Sequence, residues 1–490
     1  MSPKGRGSLE PWIKDEVDFY PHQIDGVRTL ARMGSFLLAD DMGLGKTLQS
    51  LTVFAIDVVM GRATKAIVVC PVTLKGNWMD EIKMFTRFPA IELGKGIRNK
   101  KGHFVPLSKE KRSEQIRIFN MLTGPKVLIV NYEQVVSHIE ELNKIGFDIA
   151  MFDEAHYMKN PESKRTEACM ALYSRRSFLL TGSPLLNKVD ELWTVFYRIE
   201  PNLYPSYWAY RQRYCVFGGY KNKEIVGIQN ESELLENLQS MMLRRLKSKV
   251  LNLKEPQIIQ RKVDLNSEQQ KMYDEAVDEL RITTPDLMDD IDIQNGMTKL
   301  LRLKQICGTT ATLLGADHDH SAKLDLAVND AVELVERGHK IIVFTQFRAV
   351  QAAFTKRLLT RISAPIWELN GDVNAGDRQA VVRAWSDHAG PSVINCMLQV
   401  AGVGLNMTAA RHIQFLDKLF VPKLNQQAVD RAHRIGQDET QPVMVLEYIA
   451  RDTIENRIEE ILKTKTKLFD DLIEVPASQR ELIAELARVL

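Results

Sequence analysis

The sequence has almost no net charge: 65 Lys and Arg stand against 63 Asp and Glu over 490 residues. Overall charge therefore says nothing about nucleic acid, and any track for it would have to be a local basic surface. Cysteines are few. The five (Cys70, Cys169, Cys215, Cys307 and Cys396) have no close pair, which argues against a zinc knuckle or disulfide framework and fits a reducing compartment. No apolar run approaches the length of a membrane span, and Met1 to Glu10 lacks the apolar centre of a secretory signal. Repeats and low-complexity segments are absent too. With these classes set aside, 44% hydrophobic and 26% charged residues describe a chain with ample core, expected to be soluble and intracellular. Its length suggests two to four domains.

What is present is alternation. Apolar runs at Ser35–Ala39, Ala66–Cys70, Val127–Asn131, Ile149–Asp153 and Phe178–Thr181 are separated by stretches of helical periodicity such as Lys46–Met60. The pattern returns at Lys340–Thr345, Ile366–Asn370, Val393–Met397, His412–Leu416 and Val443–Tyr448. Strand, helix, strand in this order predicts two α/β lobes with parallel sheets. Between them, Asp190 to about Val335 reads as mostly helical. There Ser267 with Gln270 forms a capping box ahead of a face made by Met272, Tyr273, Ala276, Val277 and Leu280. The last stretch, Thr453 to Leu490, is again helical, with a second capping box at Ser478 and Glu481.

Directly after the first run stands Asp40-Asp41-Met42-Gly43-Leu44-Gly45-Lys46-Thr47. A strand entering Gly-x-Gly-Lys-Thr and then a helix is a phosphate-binding arrangement. The glycines let backbone N–H groups close around phosphate oxygens, and the helix N-terminus adds partial positive charge. Lys46 is expected to neutralise the β- and γ-phosphates and Thr47 to ligate Mg²⁺. Asp40 departs from the generic loop, which has its first Gly there. Asp153-Glu154-Ala155-His156 closes another apolar run; Asp153 is expected to organise Mg²⁺ and Glu154 to deprotonate the attacking water. Far downstream, Gln427-Ala-Val-Asp-Arg431-Ala-His-Arg434-Ile-Gly-Gln437 spaces two arginines for one helix face, where they would serve as arginine fingers. Each motif alone also reads blandly, as a Gly-rich turn, an acidic loop or two solvated arginines. Together they predict a hydrolytic site divided between two lobes.

With these elements in this order the chain resembles the helicase-like ATPases of superfamily two, and within them the Swi/Snf family, from about Asp15 to about Lys467. Tyr20-Pro21-His22-Gln23 is similar to the family's Q-motif, which implies that Gln23 reads the adenine edge. Val68-Val69-Cys70-Pro71 with Gly76-Asn77-Trp78, and then Asn131-Tyr132-Glu133, look like its next motifs. The DEAH box at Asp153–His156 carries the family's Lys159-Asn160 extension. Thr181-Gly182-Ser183-Pro184 with Asn187 and Glu191-Leu192-Trp193 resembles the element that couples hydrolysis to DNA, and Met242–Lys247 the lobe junction. In the second half, Val343–Phe347, Gly371 with Arg378, Ala401–Asn406 and the His433–Gln437 ending match in turn, adding Gly404 and Gln427 to the nucleotide site. Leu186, Gln399-Val400 and Phe420-Val421 depart from the pattern. The Arg213-Tyr214-Cys215 and Met242–Val250 stretches look most similar to the branch containing annealing helicases.

The resemblance implies two tandem RecA-like parallel-sheet lobes with helical insertions and a helical tail. Lobe 1 would span 1–245 with a protrusion from about 190, and lobe 2 would span 246–490 with an insertion at about 255–335 and a C-terminal brace at about 451–490. It also implies ATP and Mg²⁺ as cofactors and double-stranded DNA as partner, gripped near Thr73, Lys75, Asn131, Gln346, Phe347 and Asn406. A motor that steps over every base needs phosphate contacts blind to sequence. The eight Lys or Arg residues of Lys95–Arg117 read first as a solvated loop, and Trp78 as a core residue. The expected activity is ATP-driven translocation on duplex DNA without obligatory strand separation. Alternatives are a strand-separating or annealing DNA helicase, an RNA helicase, or an ATP-gated scaffold. A DNA-bound protein to be displaced is a further partner class; a membrane is not expected. Without chromatin-reading modules the chain reads as a minimal prokaryotic or phage type, cytoplasmic (nuclear in a eukaryote).

Overall fold

The computed structural model describes residues 11–98, 104–105, 107–182, 189–218, 224–251, 253–283, 293–374, 377–401, 405–420, 422–437 and 440–460. Gly404, residues 183–187 and the tail beyond 460, with its expected capping box, lie outside them. The chain divides into two compact units, Met1–Leu251 and Asn252–Leu490. This division falls a little past the expected 245/246, because Arg245 and Lys247 are bound by Asp40 and Asp41 of the first unit.

The apolar runs of the first unit become strands β1 (Phe36–Leu38), β2 (Lys65–Cys70), β4 (Lys126–Asn131), β5 (Phe147–Asp153) and β6 (Ser174–Leu180). Two short strands that no apolar run announces, β3 (Ala90–Glu92) and β7 (Met242–Leu243), lie at the two edges. Among the described residues the sheet order is β7-β1-β6-β5-β2-β4-β3, and every neighbouring pair is parallel. Strands buried on both faces need no polar alternation, hence continuous runs such as Phe36-Leu37-Leu38, all buried. Parallel strands share a C-terminal edge. There β1 runs into the Asp40–Thr47 loop, β2 into Pro71, β4 into helix α4 (Tyr132–Ile145) and β5 into Glu154. The other helices that matter for the site are α1 (Pro21–Arg32), α2 (Lys46–Val59) and α3 (Lys75–Phe85).

The second unit has its own parallel sheet: β8 (Gln257–Val263), β9 (Lys340–Thr345), β10 (Ile366–Leu369), β11 (Ser392–Met397), β12 (His412–Phe415) and β13 (Met444–Ala450). Its order is β8-β13-β12-β9-β11-β10. Strand β8 corrects the reading of Asp190–Val335 as mostly helical, as does the antiparallel hairpin Cys215–Gly218 with Glu224–Ile228. Strand β8 is an edge strand with an exposed face, so Gln257-Ile-Ile-Gln-Arg-Lys-Val carries no buried apolar run to betray it. Helix α5 (Ser267–Thr283) begins where expected, but its cap is Asn266, whose Oδ1 accepts from Gln269 N at 2.9 Å. The expected face does pack: Tyr273 is buried, and Met272, Ala276 and Val277 lie against the same cluster as Leu303, Ile306 and Ile454.

Helix α6 (Ala322–Glu336) carries Lys323, fully buried and 2.6 Å from Glu455, whose other oxygen accepts from Ala450 N at 2.9 Å. Removing one member of such a pair strands the other charge. Lys323→Met is expected to lower unfolding stability by about 3–5 kcal/mol in urea denaturation, and Lys323→Met with Glu455→Met to recover most of that loss. A single variant as stable as the parent would contradict this.

Candidate active site

The loop after β1 turns twice through left-handed backbone, at Gly43 (φ 83°) and Gly45 (φ 78°), before α2 begins at Lys46. At Gly45 the demand for glycine is double, since a Cβ there would also overlap the Gln23 side-chain amide. Three side chains gather on the Leu44 carbonyl: His22 Nε2 at 3.2 Å, Gln23 Nε2 at 3.3 Å and Gln49 Nε2 at 3.3 Å. Gln23 Oε1 also accepts from Tyr20 N at 3.1 Å. The amide expected to read adenine is thus partly engaged in holding the loop, with one N–H and one lone pair left over.

Asp40, in the position that departs from the generic loop, is fully buried. Arg245 grips both of its carboxylate oxygens, Nε at 3.0 Å from Oδ1 and Nη2 on Oδ2, and Gln49 Nε2 donates to Oδ2 at 3.2 Å. The same guanidinium donates to Gln49 Oε1 at 2.6 Å and to the His22 carbonyl. Backbone bonds run alongside, from Ala39 N to Leu243 O at 2.8 Å and from Asp41 N to Arg245 O at 3.0 Å. Lys247 N donates to Asp41 Oδ2 at 2.9 Å. Gly26 faces this cluster where any Cβ would strike Gln49 and Arg245. The departure at Asp40 is therefore a structural anchor. Its partner Arg245 was missed as a site residue, although a carboxylate where a glycine is usual implies a cation nearby.

Lys46 Nζ donates to the Asp40 carbonyl at 2.8 Å and to that of Asp41 at 3.2 Å. Burial lowers its pKa, opposed by the charges of Glu154, Asp40, Asp153 and Asp41. Burial likewise raises the Asp153 carboxyl to about 7, helped by the charge of Glu154 and opposed by a Trp78 hydrogen bond and by Lys46. That bond, Trp78 Nε1 to Asp153 Oδ2, is 2.8 Å long. Trp78 is buried as expected, but it serves a carboxylate as well as the core. Glu154 sits in the left-handed region (φ 51°), strain of order 1–3 kcal/mol for a residue with a Cβ. Its N–H donates to Asp153 Oδ1 at 2.9 Å, and Tyr132 Oη donates to the Asp153 carbonyl at 2.8 Å. His156 Nδ1 lies 3.3 Å from Glu154 Oε2. Lys159, from the extension of the DEAH box, stands 3.6 Å from Glu191. The Asp153 carboxylate and Thr47 hydroxyl are hard oxygen donors, the kind Mg²⁺ takes in ones and twos alongside substrate phosphates. The residues present fit that ion.

In the second unit the helix α7 (Pro422–Val429) carries Gln427 but stops before the arginines. Arg431 and Arg434 lie in the turns that follow, which corrects their expected place on one helix face. The turn is wound by Arg431 N to Ala428 O at 3.2 Å, His433 N to Val429 O at 3.0 Å and Gln437 N to Arg434 O at 3.1 Å. Further bonds fix it to its surroundings: Met407 N to Arg431 O at 3.0 Å, Gln437 Nε2 to Ala410 O at 2.9 Å and His433 Nε2 to Lys254 O at 3.1 Å. Gly436 closes it with φ 99°. Arg431 is buried; Arg434 is half-buried, and its Nε has no hydrogen-bond partner among the described residues.

The expected nucleic-acid residues divide. Asn406 is exposed between buried Leu405 and Met407, and Thr73 and Gln346 are half-buried. Asn131 is half-buried and caps α4, its side chain accepting from Gln134 N at 2.8 Å. Two expectations are corrected. Lys75 is buried, its ammonium donating to the Leu93 carbonyl and to Gln134 Oε1 at 3.3 Å, so it presents no charge to a phosphate. Phe347 is buried in the second unit's core beside Val343, Val350 and Phe354.

The model of the SNF2-related domain matches residues 22–312, and that of the helicase conserved C-terminal domain matches 324–436. Among curated proteins, an uncharacterized ATP-dependent helicase MG018 of Mycoplasma genitalium is 29% identical over 439 residues, covering 88% of this chain and 40% of its own length. The TATA-binding protein-associated factor MOT1 of Saccharomyces cerevisiae is 25% identical over 526 residues, covering 92% and 27%. The chain thus spans less than half the length of these two relatives. A solved Sulfolobus solfataricus SWI2/SNF2 ATPase core in complex with dsDNA is 26% identical, with 97% of this chain and 96% of that one covered and a TM-score of 0.43. For the loop itself the geometry gives a direct test: Gly45→Ala should lower stability by about 1–2 kcal/mol from backbone strain alone. An unchanged denaturation midpoint would contradict the conformation of the loop.

Proposed function

The chain belongs to the SNF2-related family, and on that premise we propose that it is an ATP-hydrolysing motor that moves along double-stranded DNA without obligatory strand separation. One observation carries the reading. A lysine at the start of a helix, a glycine loop and two adjacent carboxylates, one of them strained, share one desolvated corner of a parallel sheet. Nothing in that corner is stable as it stands except in company with a polyphosphate and its cation.

Lys46 now spends its protons on the Asp40 and Asp41 carbonyls. A γ-phosphate would draw them away and bring its own charge to the ammonium. Asp153 and Thr47 would hold Mg²⁺, which on binding neutralises phosphate charge and lends the phosphoryl group its electrophilicity. Glu154, directed by its left-handed backbone and touching His156, takes the proton of the attacking water. Arg431 and Arg434 of the second unit stabilise the charge spread over the transferring group. Arg434 brings a donor with no partner among the described residues, the condition of a side chain built for a ligand. Gln427 and Gly404 complete the nucleotide contacts, and Gln23 uses its remaining N–H and lone pair on adenine.

For DNA the reading keeps Thr73, Asn131, Gln346 and Asn406, polar groups suited to phosphate oxygens, and leaves out Lys75 and Phe347. Short polar contacts of this kind position a backbone and read no sequence. A protein bound to the duplex ahead of the motor is the natural load. Among the described residues no helix is long and apolar enough to cross a membrane.

Two measurements test the proposal. Glu154→Gln is expected to cut turnover by roughly 10²–10⁴-fold while ATP still binds, followed by steady-state hydrolysis and nucleotide titration; retained turnover would remove Glu154 from its role. Hydrolysis by the unaltered protein is expected to rise with double-stranded DNA more than with single-stranded DNA or RNA. Stimulation by RNA alone would overturn the reading.

A further inference from the structure

The two loops expected to meet nucleic acid in the first unit each end in a helix, and both helices reach back to the carboxylates. The loop after β2 leads into α3, whose first turn carries Trp78; its indole N–H donates to Asp153 Oδ2 at 2.8 Å. Strand β4 ends at Asn131 and leads into α4, whose first residue is Tyr132; its hydroxyl donates to the Asp153 carbonyl at 2.8 Å. Sheet order explains how both arrive at one residue. Strand β2 lies between β4 and β5, with Cys70 opposite Asn131 and Val69 opposite Phe152.

The two loops are also tied to each other. Lys75, at the start of α3, donates to Gln134 Oε1 at 3.3 Å. Gln134 closes the cap of α4: its Oε1 accepts from Asn131 N at 2.9 Å, and its N–H donates to Asn131 Oδ1 at 2.8 Å. The Gln134 amide and the Lys75 ammonium both donate to the Leu93 carbonyl, the former at 3.0 Å. Lys75, Trp78, Tyr132 and Gln134 are all buried. Polar groups held so fully out of water form a network in which one donor cannot shift without disturbing the next.

Where the network ends is equally specific. The Asp153 carboxylate and carbonyl receive Trp78 and Tyr132, and the next residue is Glu154 in its strained conformation. A small rotation of the Asp153–Glu154 peptide swings the Glu154 side chain, because left-handed backbone has few neighbouring states for a residue with a Cβ. We infer that Trp78 and Tyr132 are positioning residues that couple duplex DNA at the Thr73 and Asn131 loops to the carboxylate pair, with Lys75–Gln134 joining the two loops into one lever. DNA on either loop shifts the start of a helix. The helix start moves its donor on Asp153, and Glu154 comes into line for water. This gives Lys75 an internal role in place of the DNA contact.

The inference rests on the proposed function, so the test separates the two. Trp78→Phe and Tyr132→Phe each remove one donor and keep a ring in place; Lys75→Met cuts the link between loops. Each protein is titrated with duplex DNA, recording the ratio of stimulated to unstimulated hydrolysis, the DNA concentration at half-stimulation and, by fluorescence anisotropy, DNA affinity. The ratio is expected to fall roughly fivefold or more in both Phe variants and in Lys75→Met, with half-stimulation and affinity within about twofold of the parent. Taking a ratio within one preparation removes the effect of partly inactive protein, and a lever separates the ratio from DNA affinity as a merely structural residue would not. An unchanged ratio in both Phe variants overturns the inference and leaves the motor standing. So does a fall in ratio matched by an equal loss of DNA affinity. A parent protein that duplex DNA does not stimulate overturns both.

Discussion

Charge held out of water is the constraint on which the first unit is built. Asp40, Asp153, Glu154, Lys46 and Arg245 share one corner of the sheet, and isolated burial of any of them would cost several kcal/mol. The fold answers with pairing for Asp40, which Arg245 and Gln49 bind on both oxygens. It answers differently for Lys46 and the carboxylates. The lysine's bonds go to carbonyls, and Asp153 is raised to about 7 by burial and by Glu154. One half of the site is closed and rigid, the other left wanting a counter-charge.

That division has a structural source. The pair Asp40–Arg245 locks the loop to the edge strand β7 near the end of the first unit, so phosphate-binding backbone is set before any ligand arrives. The carboxylate pair hangs instead from hydrogen bonds contributed by α3 and α4, whose preceding loops face outward from the same edge. In the proposed motor a preorganised loop binds and an adjustable carboxylate pair responds.

Much of this was legible in the sequence because parallel strands buried on both faces write themselves as apolar runs. Runs such as Lys340–Thr345 could be read nearly to the residue. Strands β3, β7 and β8 could not, being edge strands that share their apolar content with solvent or are too short to show a period. The helical reading around Arg431 failed for another reason: Gly436 and the bonds from Met407 and Gln437 wind that stretch into turns, whatever the spacing of its arginines. Lys75 shows the limit most plainly. A lysine next to a glycine after a strand looks like a surface cation, and only the Leu93 carbonyl and Gln134, brought in by other strands, make it an interior one.

The most direct measurement of the central claim follows motion itself, using a duplex that carries a fluorescent third strand at a distance from the entry site. The account predicts ATP-dependent release of the third strand while the two strands of the duplex stay paired, and no release by Glu154→Gln. Hydrolysis that proceeds on this DNA with the third strand left in place would contradict a translocating motor.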